Sequence, residues 1–246
     1  MLIYQIIIEY DGTNFVGWQK QKNGLSIQEA IQKILSRILK QKITLHGSGR
    51  TDSGVHALAQ SAHFLIREKI NNKLLFLNSV NYFLNKKKIS ILEIKTKKKN
   101  FHARYSAKKR FYKYLIVNRI APLSLEVNKA WHIKSVLNIK LIKKAAKLLE
   151  GKKDFSTFRA SSCGAKSPIR TLESVMITKK ENKITIIFIS KSFLQKQVRS
   201  MVGCLKFVAE KKWSLQKFKH AINSKKRINC APPAPARGLY LLKVKY

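Results

Sequence analysis

A chain of 246 residues with 45% hydrophobic side chains holds enough apolar material for one or two packed domains. Its 51 Lys and Arg against 12 Asp and Glu leave a net charge of +39, which points to a polyanionic partner, a nucleic acid ahead of an anionic membrane. Three cysteines without CxxC spacing and six histidines without paired helical ligands argue against a disulfide framework, a zinc ribbon or any other metal site, and no apolar run reaches transmembrane length.

Residues 2–9 are rich in β-formers and lead into the turn Asp11-Gly12-Thr13-Asn14. The N-terminus lacks a basic n-region and a cleavage site, so it reads as a strand of a cytoplasmic protein and not as a signal peptide. Ser26-Ile27-Gln28-Glu29 is a capping box that opens a helix to about residue 40, with an apolar stripe of Ile27, Ala30, Ile31, Ile34, Leu35 and Ile38. Short strands are expected near 43–46 and 58–66. Asn71 or Asn72 caps a helix through about residue 84, and Ile89–Ile94 alternates as a strand. This β-α-β-β-α-β order is the ferredoxin-like arrangement.

The second half repeats it. Phe111–Val117 reads as a strand, and Ile139–Glu150 as a helix stopped by Gly151. Strands near 169–178 and 183–190 flank the turn at Glu181-Asn182-Lys183. A helix over about 193–212 buries Leu194, Val198, Met201, Val202, Leu205 and Val208, and Ser214 caps another. The stiff connector Ala231-Pro232-Pro233-Ala234-Pro235-Ala236 precedes a last strand over Gly238–Tyr246. The expectation is an α+β protein of two lobes, 1–104 and 105–246, with mainly antiparallel sheets and a cleft between them.

Gly47-Ser48-Gly49-Arg50-Thr51-Asp52-Ser53-Gly54-Val55-His56 is the most informative stretch. It sets one of only three aspartates in a glycine-rich loop, two residues after an arginine, in a lysine-flooded chain. A β-turn with an exposed ion pair is the plainer account. The loop is no phosphate cradle: GxxxxGK[ST] is absent, and Asp52 stands where GxGxxG needs its third glycine. A carboxylate pair of the glycosidase or aspartic-protease kind is also a poor fit, because Asp11 lies in a separate turn. A lone carboxylate whose charged form is favoured by Arg50 can serve as a nucleophile or base without a partner.

Gly49-Arg50-Thr51-Asp52-Ser53-Gly54-Val55-His56 resembles the GRTDxGVH signature of the bacterial tRNA pseudouridine synthase A family. Glu9-Tyr10-Asp11-Gly12 with Gly17-Trp18-Gln19, Phe101-His102-Ala103-Arg104 through Arg110-Phe111-Tyr112-Lys113-Tyr114, and Asp154-Phe155-Ser156-Thr157-Phe158-Arg159 resemble further motifs of that family. Val198-Arg199-Ser200-Met201-Val202-Gly203 and Gly238-Leu239-Tyr240-Leu241 complete them in order. The resemblance covers nearly the whole chain. It implies isomerisation of uridine to pseudouridine at nucleotides 38, 39 and 40 of the tRNA anticodon stem-loop, without cofactor or metal, by a homodimer.

By the same resemblance Asp52 is the catalytic nucleophile or base, and attack on C1′, addition to C6 and abstraction of the C2′ proton all remain open to it. Arg50 would fill the space left by a flipped-out base, or simply contact phosphate. Tyr112 would lie against the uracil, although Phe111 and Tyr114 beside it also suit an ordinary strand aromatic. Arg199 would pair with Asp52, its plainer role being a helix-surface cation, and Leu239 would pack near the uracil or in the core. Ser48 and Ser53 replace alanines expected in relatives. Lys196 and Gln197 stand where a histidine is common. The competing reading is a tandem RRM-like RNA-binding protein, which has the same element order but needs an RNP1 pattern that no candidate strand carries. An anionic-membrane binder would need a basic amphipathic helix with exposed bulky apolar residues.

Overall fold

A computed structural model describes residues 1–246, which divide into two compact units: Met1–Lys108 with Tyr240–Tyr246, and Lys109–Leu239. The architecture is mixed α+β with mostly antiparallel sheets, as expected. No helix is long and apolar enough to cross a membrane.

The first unit runs β1 (Leu2–Tyr10), α1 (Ile27–Ile38), β2 (His46–Gly47), β3 (His56–Ile66), α2 (Lys73–Asn85) and β4 (Ile89–Lys97). Strand β1 lies between β3 and β4, antiparallel to both, and β2 is antiparallel to β3. That is the ferredoxin-like order read from the sequence. Alternate residues Ile6 and Ile8 of β1 are fully buried, as are Ile31 of α1 and Val80 and Leu84 of α2. The register of β1 against β3 slips between Ile8 and Tyr10, where the chain leaves for the Asp11 turn.

The expected strand at 43–46 shrinks to His46–Gly47. Side chains of α1 take over its backbone groups: Ile43 N–H donates to Ser36 Oγ (2.9 Å), Leu45 N–H to Gln32 Oε1 (3.0 Å), and Gln28 Nε2 donates to Leu45 O (2.8 Å). Residues 28, 32 and 36 fall at helical spacing, so one polar row of α1 replaces a ladder.

The second unit begins with β5 (Lys109–Asn118), β6 (Trp131–Ile133), α3 (Ile139–Lys147) and β7 (Gly151–Asp154). It continues with β8 (Ile169–Lys180), β9 (Lys183–Ser190), α4 (Gln197–Ala209) and α5 (Leu215–Ser224). Strands β5, β9, β8 and β7 are antiparallel neighbours in that order, and β6 runs parallel to the end of β5. Helix α4 is the core element: Met201, Val202, Cys204, Leu205 and Val208 are at most 1% exposed. It starts at Gln197 and not near 193, because Gln197 Oε1 accepts from Leu194 N–H (2.8 Å) and Lys196 takes φ 60°, closing a turn ahead of it. Helix α3 stops at Lys147, and Gly151 (φ 97°) opens β7, a strand the sequence pattern does not announce.

The final strand, β10 (Leu239–Lys245), was expected in the second lobe. Its residues from Tyr240 onward join the first unit instead, pairing parallel to β3 at Tyr240–His56 and Leu241–Ala57. Tyr246 secures the return: its hydroxyl bonds Ser61 Oγ (2.7 Å) and donates to Ala103 O (2.9 Å).

Candidate functional site

In the first unit the candidate site is the loop between β2 and β3. Asp52 opens a turn closed by the Val55 N–H donating to its carbonyl (3.1 Å), with Gly54 at φ 75°. The preceding carbonyl, of Thr51, accepts from Trp18 N–H (3.1 Å), and the Thr51 hydroxyl is 2.8 Å from Tyr10 Oη. Ser53 Oγ donates to Phe15 O (3.0 Å). On the other flank Ser48 Oγ donates to Gln60 Oε1 (2.7 Å), and Gln60 Nε2 to Gly49 O (2.9 Å).

The loop is therefore held from two sides, by the 10–18 segment and by β3. Its closest approach is at Gly12, where an added Cβ would lie 2.0 Å from Val55 O. Only glycine fits there. The result is a half-buried carboxylate on a backbone fixed by hydrogen bonds, the kind of preorganised base or nucleophile that acyl, glycosyl or proton transfer can use.

Arg50, on the same loop, is exposed, and its Nε donates to Gln19 Oε1 (3.2 Å). The guanidinium two residues before Asp52 is thus bonded to the 10–19 segment. Behind the loop, buried His56 accepts from Gly12 N–H through Nδ1 (3.1 Å) and stacks on Tyr240, ring centroids 4.8 Å apart. Asp11 lies 3.2 Å from the same nitrogen. Burial alone would raise the Asp11 carboxyl, but the Thr13 hydroxyl and N–H, with the Lys88 ammonium, hold it below the usual carboxylate range.

The remaining expected residues belong to the second unit. Tyr112, 8% exposed in β5, meets the Phe193 ring edge-on at 5.1 Å. Arg199, half-buried on α4, donates from Nε to Ala234 O (2.8 Å), while Ala234 N–H donates to Arg199 O (2.9 Å). Gly203, one turn on, lets the connector lie against α4: a Cβ there would be 2.1 Å from Pro232 O. Tyr114 Oη donates to Pro235 O (2.8 Å), so the same connector is pinned to β5. Burial pushes the Tyr114 phenol well above its usual range, against the pull of Arg199 and Arg237. Leu239, 6% exposed, follows as the connector becomes β10.

Asp52 and Arg50 thus share one loop, and Arg199 and Leu239 are linked by one connector. The sequence assigned no role to Gln60, Phe193 or His56. For Gln60 the available signal is a polar side chain inside an apolar strand; for Phe193 no spacing marks it.

A family described as tRNA pseudouridine synthase matches residues 6–106 and 145–246. The chain is 60% identical over 246 residues, all of both chains, to tRNA pseudouridine synthase A of Pelagibacter ubique (strain HTCC1062). It is 44% identical over 243 residues (99% of each chain) to the protein of that name from Neorickettsia sennetsu. The counterpart from Parvibaculum lavamentivorans is 41% identical over 243 residues, 99% of this chain and 98% of that one.

Proposed function

The chain belongs to the tRNA pseudouridine synthase family, and from that premise we propose that it isomerises uridine to pseudouridine at nucleotides 38, 39 and 40 of the anticodon stem-loop, with Asp52 as the catalytic carboxylate. The reaction breaks N1–C1′, turns the uracil and joins C5 to C1′. The C5 proton leaves and N1 gains one, so nothing is oxidised and no atom is added. A carboxylate can carry this either as a nucleophile at C1′ or C6 or as the base that takes the C2′ proton. The observation behind the assignment is the double anchoring of the Asp52 turn, to Trp18, Phe15 and Tyr10 on one side and through Gln60 on the other.

The target uridine must leave its stack, at a cost of a few kcal/mol. Arg50, exposed at the rim of the loop, is assigned to the space the base vacates. Tyr112 and Leu239 are assigned to the faces of the everted uracil, and Arg199 to charge compensation of the catalytic carboxylate. The working form is proposed to be a homodimer acting in the cytoplasm, and sedimentation of the purified protein checks the dimer.

The test is an unmodified tRNA transcript incubated with wild type and with Asp52→Asn, followed by mapping of pseudouridine. Wild type is expected to convert nucleotides 38–40. The variant should lose about 10³-fold or more in rate while its affinity for the transcript changes by less than about threefold. Appreciable turnover by Asp52→Asn would remove the carboxylate from the mechanism.

A further inference from the structure

We propose that the outer face of α2, with the lysine turn after it, binds an unpaired nucleotide of the RNA substrate at a site separate from the residues assigned to the reacting uridine. The choice of RNA as occupant rests on the synthase reading above. Two grooves that share Lys86 define the site. One, about 570 Å³, is lined by Asn78, Asn81, Tyr82, Asn85, Lys86 and Ser90. The other, about 180 Å³, continues along Lys86, Lys87 and Lys88 to Asp11 and Phe15.

Tyr82 is 68% exposed and meets Phe83 edge-on at 5.2 Å, and Lys86 Nζ stands 5.8 Å from its ring centroid. An open aromatic face beside a cation is the platform on which single-stranded nucleic acids stack a base and rest a phosphate. Asn81 is committed to the fold, its amide donating to Ile91 O (2.9 Å) and accepting from Ile91 N–H (2.7 Å). Asn78 and Asn85 flank Tyr82 at i−4 and i+3, on the same side of the helix, and bring exposed amides that each offer a donor and an acceptor to a base edge.

The second groove supplies the link to the catalytic loop. Phe15, in its lining, accepts through its carbonyl from Ser53 Oγ, the residue after Asp52. The carboxylate of Asp11 in that groove is engaged by Thr13 and Lys88, which leaves Lys86 and Lys87 to meet an anion. A second copy of this chain is the rival occupant, since Leu74 and Leu75 at the start of α2 are 70% and 62% exposed. A partner carrying +39 would, however, bring like charge onto three consecutive lysines, whereas an RNA strand brings the opposite charge.

Fluorescence anisotropy of a labelled, unmodified tRNA transcript with the full chain tests the site. Tyr82→Ala is expected to raise Kd about 5- to 100-fold and Tyr82→Trp to stay within about twofold of wild type. Lys86→Gln should reduce the slope of log affinity against log salt by about one. An unchanged Kd for Tyr82→Ala overturns the proposal, as does a change in Kd that accompanies a shift in oligomeric state by sedimentation, which assigns the face to a second copy. Pseudouridine formation by wild type is scored separately. Its absence counts against the synthase reading, while normal turnover with an unchanged Kd counts against this site alone.

Discussion

A methyl group at Gly12 has nowhere to go, because the Val55 carbonyl occupies the position 2.0 Å away. Gly12→Ala must push the Asp11 turn off the Asp52 loop. The expected cost is about 1–3 kcal/mol in urea unfolding, together with a lower kcat under the role proposed for Asp52, because its carboxylate moves with its backbone. Unchanged stability and rate would mean the two loops are not coupled. His63 gives a pH prediction. It is 3% exposed, accepts from Ala103 N–H through Nδ1 (3.2 Å), and lies 5.0 Å from the His46 ring and 4.6 Å from that of His102. Burial, then the nearby His102 and His46, lowers its pKa from 6.5 to about 4. The folded state keeps it neutral where the unfolded chain already takes up a proton. Its contribution is therefore complete above about pH 6.5 and lost as pH falls toward 4. Tm should drop between about pH 7 and 4.5, and drop less steeply in His63→Gln; equal slopes would refute the assignment. Asp52 stood out in the sequence because carboxylates are rare in this chain. The histidine cluster did not, because residues 46, 63 and 102 share no spacing until β2, β3 and the 98–106 loop converge.

The starts of α1, α2 and α5 were legible, whereas α3 and α4, expected to reach 150 and about 212, end at Lys147 and Ala209. Ser26, Asn72 and Ser214 accept from the N–H groups of Glu29, Leu75 and Lys217, as their residue types advertise. The ends are obscured because lysine stands where glycine or asparagine usually signals a stop. Lys40, Lys88, Lys211 and Lys225 all sit at φ between 49° and 60°. After α4, Lys211 N–H donates to Val208 O and Lys212 N–H to Phe207 O (both 3.0 Å), which closes the helix through a left-handed residue with a Cβ. Lys211→Gly and Lys225→Gly are each expected to stabilise the protein by about 0.5–1 kcal/mol in denaturant titration, from relief of left-handed strain less the added chain entropy. Strands β6 and β7 escaped notice for a different reason. At three and four residues they are too short to show a period of two, and only pairing with β5 and β8 defines them.

Across the whole molecule, 51 cations face 12 acids, so most lysines have no carboxylate to answer them. Affinity for a tRNA transcript should fall by at least about 100-fold between about 50 and 200 mM salt. A flat dependence would mean that the charge excess touches no phosphate and reflects composition alone. The course of the chain was less legible than its elements. Two successive β-α-β-β-α-β halves invite a single cut near residue 104, yet the last residues return to the first unit, because Tyr240, Leu241 and Tyr246 find their partners on β3 and at Ala103. The proline-rich connector has a consequence of its own. Ala234 grips Arg199 by both backbone groups, Pro232 rests on the bare Gly203, and four residues beyond the Tyr114–Pro235 bond comes Leu239. The segment behaves as a ruler: gaining or losing one residue between 232 and 238 would throw the Arg199 contact and Leu239 out of step together.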